Sequence, residues 1–188
     1  TEPGSLYALT STDLAVWGSH AWPIVGPEFT EEVSLSRSAD GTIRALYTTP
    51  DQGVSVAERD GAAFIETASD VLAGTHLDPT ACHFDGQDHL FTTSTSGEVA
   101  SATSEDGLSY TAGAFSWDGV QAPDCFVDDG ELWLVAQTGG GYGLPLMRRM
   151  GDSGEFGVIE SLLPSGSMPL DSCTSPVLDR YHDTLLLF

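Results

Sequence analysis

Short apolar runs separated by turn residues fill this chain, and they show the alternation of β-strands rather than the periodicity of helices. The clearest strand-like runs are Ile43–Thr49, His89–Thr93, Glu131–Ala136 and Thr184–Phe188. Glycine, proline, serine and aspartate bound these runs, and the chain contains 21 Gly and 10 Pro. Short strands at even spacing between such residues predict an all-β fold.

An acidic turn followed by an apolar strand recurs at a regular interval. Asp-Gly pairs begin at Asp40, Asp85 and Asp129, which are 45 and 44 residues apart, and a looser copy begins at Asp179. Asp-Gly is a strong signal for a hairpin between two antiparallel strands. A repeat of about 45 residues that holds several strands is typical of a propeller blade. The sequence therefore predicts a β-propeller of four-stranded antiparallel blades.

The repeat also predicts where the blades lie in a single propeller domain. The expected units are a half blade at 1–30, blades at about 31–74, 75–118 and 119–166, and a half blade at 167–188. The two halves could join into a small four-bladed ring, or the chain could be a piece of a larger propeller. We favour the larger propeller, because the apolar run Leu185–Phe188 would need a partner strand.

The charge of the chain is strongly negative, with 28 Asp and Glu against 6 basic residues, all of them Arg, and a net charge of −22. Such a surface repels phosphate backbones and anionic membranes, so we expect neither nucleic acid nor membrane as a partner. No run approaches the roughly 20 apolar residues of a membrane helix. The negative charge fits a protein that is secreted or works at high salt. The sequence leaves the oligomeric state open.

Cofactor and metal motifs are not found in the sequence. The glycine-rich segment 139–143 lacks the strand-to-helix setting of a phosphate loop, and calcium loops of the D-x-D-x-D-G type are absent. Cys82, Cys125 and Cys173 form no C-x-x-C pair, so no zinc site is expected. A Cys82–Cys125 bridge, a Cys125–Cys173 bridge and buried thiols remain open for these cysteines.

Several segments resemble, in order and spacing, elements of the five-bladed propeller glycosidases of glycoside hydrolase family 43 (GH43) and the related family 32. They are Ser11–Trp17 (S-T-D-L-A-V-W), Leu77–Thr80 (L-D-P-T), Ala122–Asp124 (A-P-D) before Asp129–Leu134, and Leu170–Asp171 before Ser175–Asp179. The resemblance touches most of the chain. It implies part of a five-bladed ring and a secreted or cell-surface glycosidase that hydrolyses a polysaccharide or oligosaccharide with inversion.

The resemblance also implies carboxylates at the heads of the innermost strands, converging on a central pocket. Asp78 matches the general base and Asp171 the second aspartate, so these two are the candidate catalytic residues. An inverting reaction needs a base and an acid roughly 6.5–9.5 Å apart. The general acid has no clear match. In another register it falls where Gln121 stands, and an amide cannot donate a proton as a carboxylic acid does.

Four further residues are candidate substrate contacts: Asp124, Glu32, His76 and Trp117. Trp117 is expected in a loop after an outer strand, where its ring could stack on a sugar. Each candidate, Asp78 included, has a structural alternative as a turn or surface acid, a buried histidine or a tryptophan packed between blades. The missing acid leaves a second function open, a propeller that binds carbohydrate or protein without catalysis.

Overall fold

The computed structural model of the chain describes residues 5–10, 18–25, 32–138, 145–150, 156–157, 178–181 and 184–187. These residues form β-strands and no helix, which confirms the predicted all-β fold. The strands are β1 (Ser5–Thr10), β2 (Gly18–Val25), β3 (Val33–Arg37), β4 (Ile43–Thr48), β5 (Val54–Asp60), β6 (Ala63–Ala68), β7 (His76–Phe84), β8 (Gln87–Ser94), β9 (Glu98–Ser104), β10 (Thr111–Asp118), β11 (Val120–Asp128), β12 (Glu131–Thr138), β13 (Pro145–Arg149), β14 (Leu178–Tyr181) and β15 (Thr184–Leu187). Within this part of the chain, no helix has the length and hydropathy to cross a membrane.

Consecutive strands pair antiparallel in two units, β3–β6 and β7–β10, so each unit is a four-stranded meander. The β1–β2 hairpin extends the first unit, because β2 pairs in parallel with the edge strand β6. The strands β11–β13 form a three-stranded sheet, and β14 pairs with β15. These sheets confirm the predicted propeller blades. The exact limits of the blades and the half blades at either end stay predictions.

The Asp-Gly pairs form tight turns where the sequence predicts hairpins. In the β7–β8 turn, Asp85 and Gly86 have φ angles of 48° and 78°. In the β11–β12 turn, Asp129 and Gly130 have φ angles of 49° and 76°. A two-residue turn that matches the twist of its strands needs positive φ at both positions, which aspartate tolerates and glycine adopts freely.

Neighbouring residues of β8 pack against different sheets, as expected for a strand buried on both faces. Leu90 belongs to a core cluster with Leu46 of β4. Phe91 belongs to a second cluster with Leu132 of β12. All four residues are at most 1% exposed. Burial of such a side chain contributes about 1.5–3 kcal/mol, so these two clusters hold the blades side by side.

A buried ion pair also joins the first two units. Nη1 of Arg44, on β4, donates to Oδ2 of Asp88, on β8, at 2.9 Å. Arg44 Nε donates to Glu58 at 3.0 Å, and Nδ1 of His83 lies 2.7 Å from the other Asp88 oxygen. Gly107, in the loop after β9, packs directly over the pair. Because Arg44 donates to two carboxylates and both oxygens of Asp88 have partners, these hydrogen bonds offset part of the desolvation cost of burying the two charges.

Candidate active site

The heads of β7 and β11 share one unusual backbone conformation. These strands lie side by side, with β3 on the other side of β7. The pairing register shifts between Leu77 and Thr80 in β7, and at the corresponding place in β11. The residue before the proline has a φ of 48° in both strands, Asp78 in β7 and Ala122 in β11. A proline has no N–H for the ladder, so it fits such a bulge. Asp78 and Ala122 therefore occupy equivalent positions.

Asp78 is held at its backbone and at its side chain by groups from other strands. Its N–H donates to Oε2 of Glu32, just before β3, at 3.2 Å. Its carboxyl oxygen Oδ2 accepts a hydrogen bond from the hydroxyl of Thr93, on β8, at 2.9 Å. The structure thus brings together Asp78 and Glu32, two acidic residues that are 46 positions apart in the sequence.

The environment of Asp78 raises the pKa of its carboxyl above the ordinary value for aspartate. Burial is the largest cause, and the negative charge of Glu32 adds to it. The hydrogen bond from Thr93 and a contact with the N–H of Ala122 act in the opposite direction, because they favour the ionised form. A carboxyl whose pKa lies closer to neutral pH is better suited to accept and release a proton.

Asp124 lies on β11, at the end of the bulge that contains Ala122, and its side chain faces β7. Its Oδ1 accepts a hydrogen bond from the hydroxyl of Thr80 at 3.1 Å. Next to this hydrogen bond along the two strands, a disulfide joins Cys82 of β7 to Cys125 of β11, with the Cα atoms 6.1 Å apart. This is one of the pairings that the sequence left open. The bond and the disulfide fix the two strand heads relative to each other.

The comparisons with known proteins agree with this architecture. No protein-family model matches the chain, and no curated protein matches it. Solved structures do match. The GH43 endo-arabinanase from Bacillus licheniformis superimposes with a TM-score of 0.63 at 17% identity, over 89% of this chain and 67% of that one. The GH43_1 enzyme from Xanthomonas citri, complexed with xylotriose, gives 0.64 at 15% identity, over 98% and 68%. The fold is that of the GH43 glycosidases.

The GH43 likeness rests on shape, because the sequence identities are low. Bacteroides ovatus Xyloglucan PUL GH43B superimposes with a TM-score of 0.63 at 17% identity, over 84% of this chain but only 35% of that one. An exo-β-1,3-galactanase from Phanerochaete chrysosporium is covered over 44% of its length. The chain thus spans less than half of these two relatives. At such low identities the superpositions show the GH43 fold alone, and they confirm the predicted resemblance as a resemblance of fold.

Two of the predicted substrate contacts, His76 and Trp117, interact with other protein groups in this fold. Both ring nitrogens of His76 have protein partners, with Nδ1 2.9 Å from the Thr92 hydroxyl and Nε2 3.2 Å from the carbonyl oxygen of Ala73. Trp117 lies within β10 and is 7% exposed, so its predicted place in a loop was wrong. It packs in the cluster that contains Phe91. A ring buried in this way leaves little surface for a sugar. The substrate contacts of both residues stay untested predictions.

The remaining candidate sites divide into residues that the structure describes and residues that it does not. Asp171 lies outside the described residues. Gln121 lies at the head of β11, opposite Gln137. Among the described side chains, no group of three His, Cys, Asp or Glu could hold a metal ion. A cavity of about 410 Å³ between β8–β10 and Met150 and Phe156 contains none of the predicted site residues.

Thr93 is the contact of Asp78 that the sequence analysis missed. A signal was present, because Thr93 stands 45 residues after Thr48, at the same place in the preceding unit, and each threonine pairs with a valine of the next strand. The repeat alone could not show which of the two hydroxyls meets a carboxyl. That depends on Asp78, since its bulge turns the side chain toward β8.

Proposed function

We propose that this chain is part of a secreted glycosidase that hydrolyses a glycosidic bond of a polysaccharide or oligosaccharide with inversion. The observation that carries the proposal is the position of Asp78, a half-buried carboxyl at a strand head of a GH43-like propeller, next to Glu32. The raised pKa of this carboxyl suits a general base, which must take a proton from water and later release it.

The roles that we assign follow from the chemistry of inversion. Asp78 activates a water molecule, and a carboxylic acid on the opposite side of the scissile bond protonates the leaving oxygen. Asp171 is our proposed second carboxylate. Glu32 and Asp124 supply oxygens that accept hydrogen bonds from sugar hydroxyl groups. The GH43 neighbours support a carbohydrate partner, since one of them was solved with xylotriose bound.

The test is hydrolysis by the full-length protein of arabinan, xylan and fructan, measured as release of reducing ends. Asp78→Asn should lower kcat by roughly 10²–10⁴-fold, the usual loss when a general base is removed. Asp85→Asn is the matched control, because Asp85 has the same φ of 48° but lies exposed in a turn. Equal activity of Asp78→Asn and wild type would remove Asp78 from the mechanism.

A second function, carbohydrate binding without catalysis, is favoured by the head of β11. There the position equivalent to Asp78 is Ala122, and the residue before it is Gln121, so neither side chain can donate a proton as an acid. Calorimetric binding of an oligosaccharide, with no product after prolonged incubation and equal binding by Asp78→Asn, would support this function over the first.

Secretion is proposed on the charge and on the disulfide. The Cys82–Cys125 bridge supports an oxidising compartment, because disulfides persist in secreted proteins and are rare in the cytosol. Fractionation of the source cells tests this, with detection of the protein in the medium or at the cell surface as the expected result. Its recovery only in the cytosol would contradict secretion.

A further inference from the structure

The hydroxyl of Thr93 lies at the junction of three strands. Thr93 is on β8 and is 4% exposed. Its Oγ1 donates to Oδ2 of Asp78, on β7, at 2.9 Å. The same oxygen accepts a hydrogen bond from the backbone N–H of Ala122, on β11, at 2.9 Å. One hydroxyl therefore connects the carboxyl of the proposed base to the bulge of the neighbouring blade.

The direction of these two bonds fixes the proton of the hydroxyl. A backbone N–H can only donate, so the bond from Ala122 occupies a lone pair of Thr93 Oγ1. An ionised carboxylate can only accept, so the single hydroxyl proton of Thr93 points to Oδ2 of Asp78 when Asp78 is ionised. A proton taken up by Asp78 is best accommodated on Oδ1, because a proton on Oδ2 would face the hydroxyl proton of Thr93 and force the hydroxyl to turn.

Threonine suits this position better than a longer hydroxyl or amide side chain. Its β-branched side chain restricts χ1, so the hydroxyl keeps one direction when the backbone is fixed. The backbone here is fixed, because Thr93 pairs with Leu77 of β7 and Val99 of β9, and the Cys82–Cys125 disulfide follows the β11 bulge. The orientation of the Asp78 carboxyl thus depends on the neighbouring blade.

We propose that Thr93 is a positioning residue for Asp78: it holds Oδ2 and leaves Oδ1 as the oxygen that exchanges a proton with water at the reaction centre. This inference rests on the proposed role of Asp78 as the base. Among the described residues, the charged group that acts on Asp78 is Glu32, before β3. His76, on the same strand, bonds to Thr92, and Asp124, on β11, bonds to Thr80. None of them replaces the hydroxyl as the donor to Oδ2.

The test uses Thr93→Val, which keeps the shape of the side chain and removes the hydroxyl, and Thr93→Ser, which restores it. The first measurement is the ¹³C titration of the Asp78 carboxyl, assigned by its loss in Asp78→Asn. Thr93→Val should move the titration midpoint to higher pH, because a bond that favours the ionised form is lost. Thr93→Ser should titrate like wild type.

Thr48→Val is the matched control, since Thr48 is equally buried at the same place in the preceding unit. It should leave the titration of Asp78 unchanged. An unchanged midpoint in Thr93→Val, or an equal shift in Thr48→Val, would overturn the proposal. If Thr93→Val does not fold, Thr93→Ala removes the same hydroxyl with less bulk and is judged by the same criteria.

The second measurement is the pH profile of kcat. Thr93→Val should lower kcat by roughly 10–100-fold with little change in KM, and should shift the base limb of the profile to higher pH, with rescue by Thr93→Ser. The titration does not need turnover. If the wild-type protein hydrolyses nothing, the proposed function fails, while the titration still decides whether Thr93 positions Asp78.

Discussion

Replacement of Gly107 by alanine should destabilise the protein far more than the same change at a comparable glycine. Gly107 has a φ of 68°, and a Cβ at this position would overlap Nη1 of Arg44 and Oδ2 of Asp88. These two atoms form the buried ion pair between the first two units. Gly86 is the matched control, because its φ is 78° and a Cβ there would meet nothing within 4 Å.

The expected loss of stability has two contributions, the positive φ angle and the overlap of the added Cβ with the ion pair. An L-residue in the left-handed region costs about 1–2 kcal/mol, and this cost applies to both variants. In Gly107→Ala the added methyl group must also separate Arg44 from Asp88, and a broken buried pair costs about 3–5 kcal/mol. Both side chains of the pair are only 10% exposed, so solvent offers little compensation.

Urea unfolding followed by tryptophan fluorescence measures both variants. The free energy of unfolding of Gly107→Ala should lie about 3–5 kcal/mol below that of Gly86→Ala, which corresponds to a melting temperature lower by roughly 10 °C for a chain of this size. In an Arg44→Met background the difference should shrink. Equal stability of the two alanine variants would refute the idea that Gly107 protects the ion pair.

Three further predictions concern the disulfide, Asp78 and Trp117. Cys82→Ser should lower the free energy of unfolding by about 2–4 kcal/mol, since the bridge closes a loop of 43 residues, and one alkylation site should be found per unreduced wild-type chain; two or more sites would contradict the bridge. The raised pKa of Asp78 means that ionisation disfavours the folded state, so the folded state is penalised as pH rises from the ordinary value of 3.8 through the raised one. Asp78→Asn should therefore gain stability relative to wild type over this range in pH-dependent urea unfolding, and a constant difference would contradict the raised pKa. Trp117→Ala should cost about 3–5 kcal/mol in the same assay, as for other buried aromatic residues, whereas a cost below 1 kcal/mol would place the ring on the surface.

The sequence predicted those features of the fold that depend on neighbours along the chain. Asp85-Gly86 and Asp129-Gly130 are hairpin turns because the conformational preferences of aspartate and glycine decide the backbone there. The alternation at Leu90 and Phe91 likewise follows from the geometry of a strand whose two faces are both buried. Because these turns and strands recur about every 45 residues, the sequence also predicted that they form successive sheets.

Contacts between blades could not be predicted from the sequence, because they depend on how the sheets stack. Arg44 and Asp88 lie 44 positions apart, and nothing in their own segments indicates that they pair. Trp117 was predicted in a loop after an outer strand, whereas it lies in β10 and the packing of its sheet buries it. Within the site, Asp78 was found through its motif, whereas Thr93 became visible only once β7, β8 and β11 were assembled.

The most direct test of the central claim is the anomeric configuration of the first sugar released by the wild-type protein, followed by ¹H NMR from the start of the reaction. We expect the first product to have the configuration opposite to that of the substrate, because Asp78 activates water and forms no bond to the sugar. A first product that retains the configuration of the substrate, or no product from any arabinan, xylan or fructan, would contradict it.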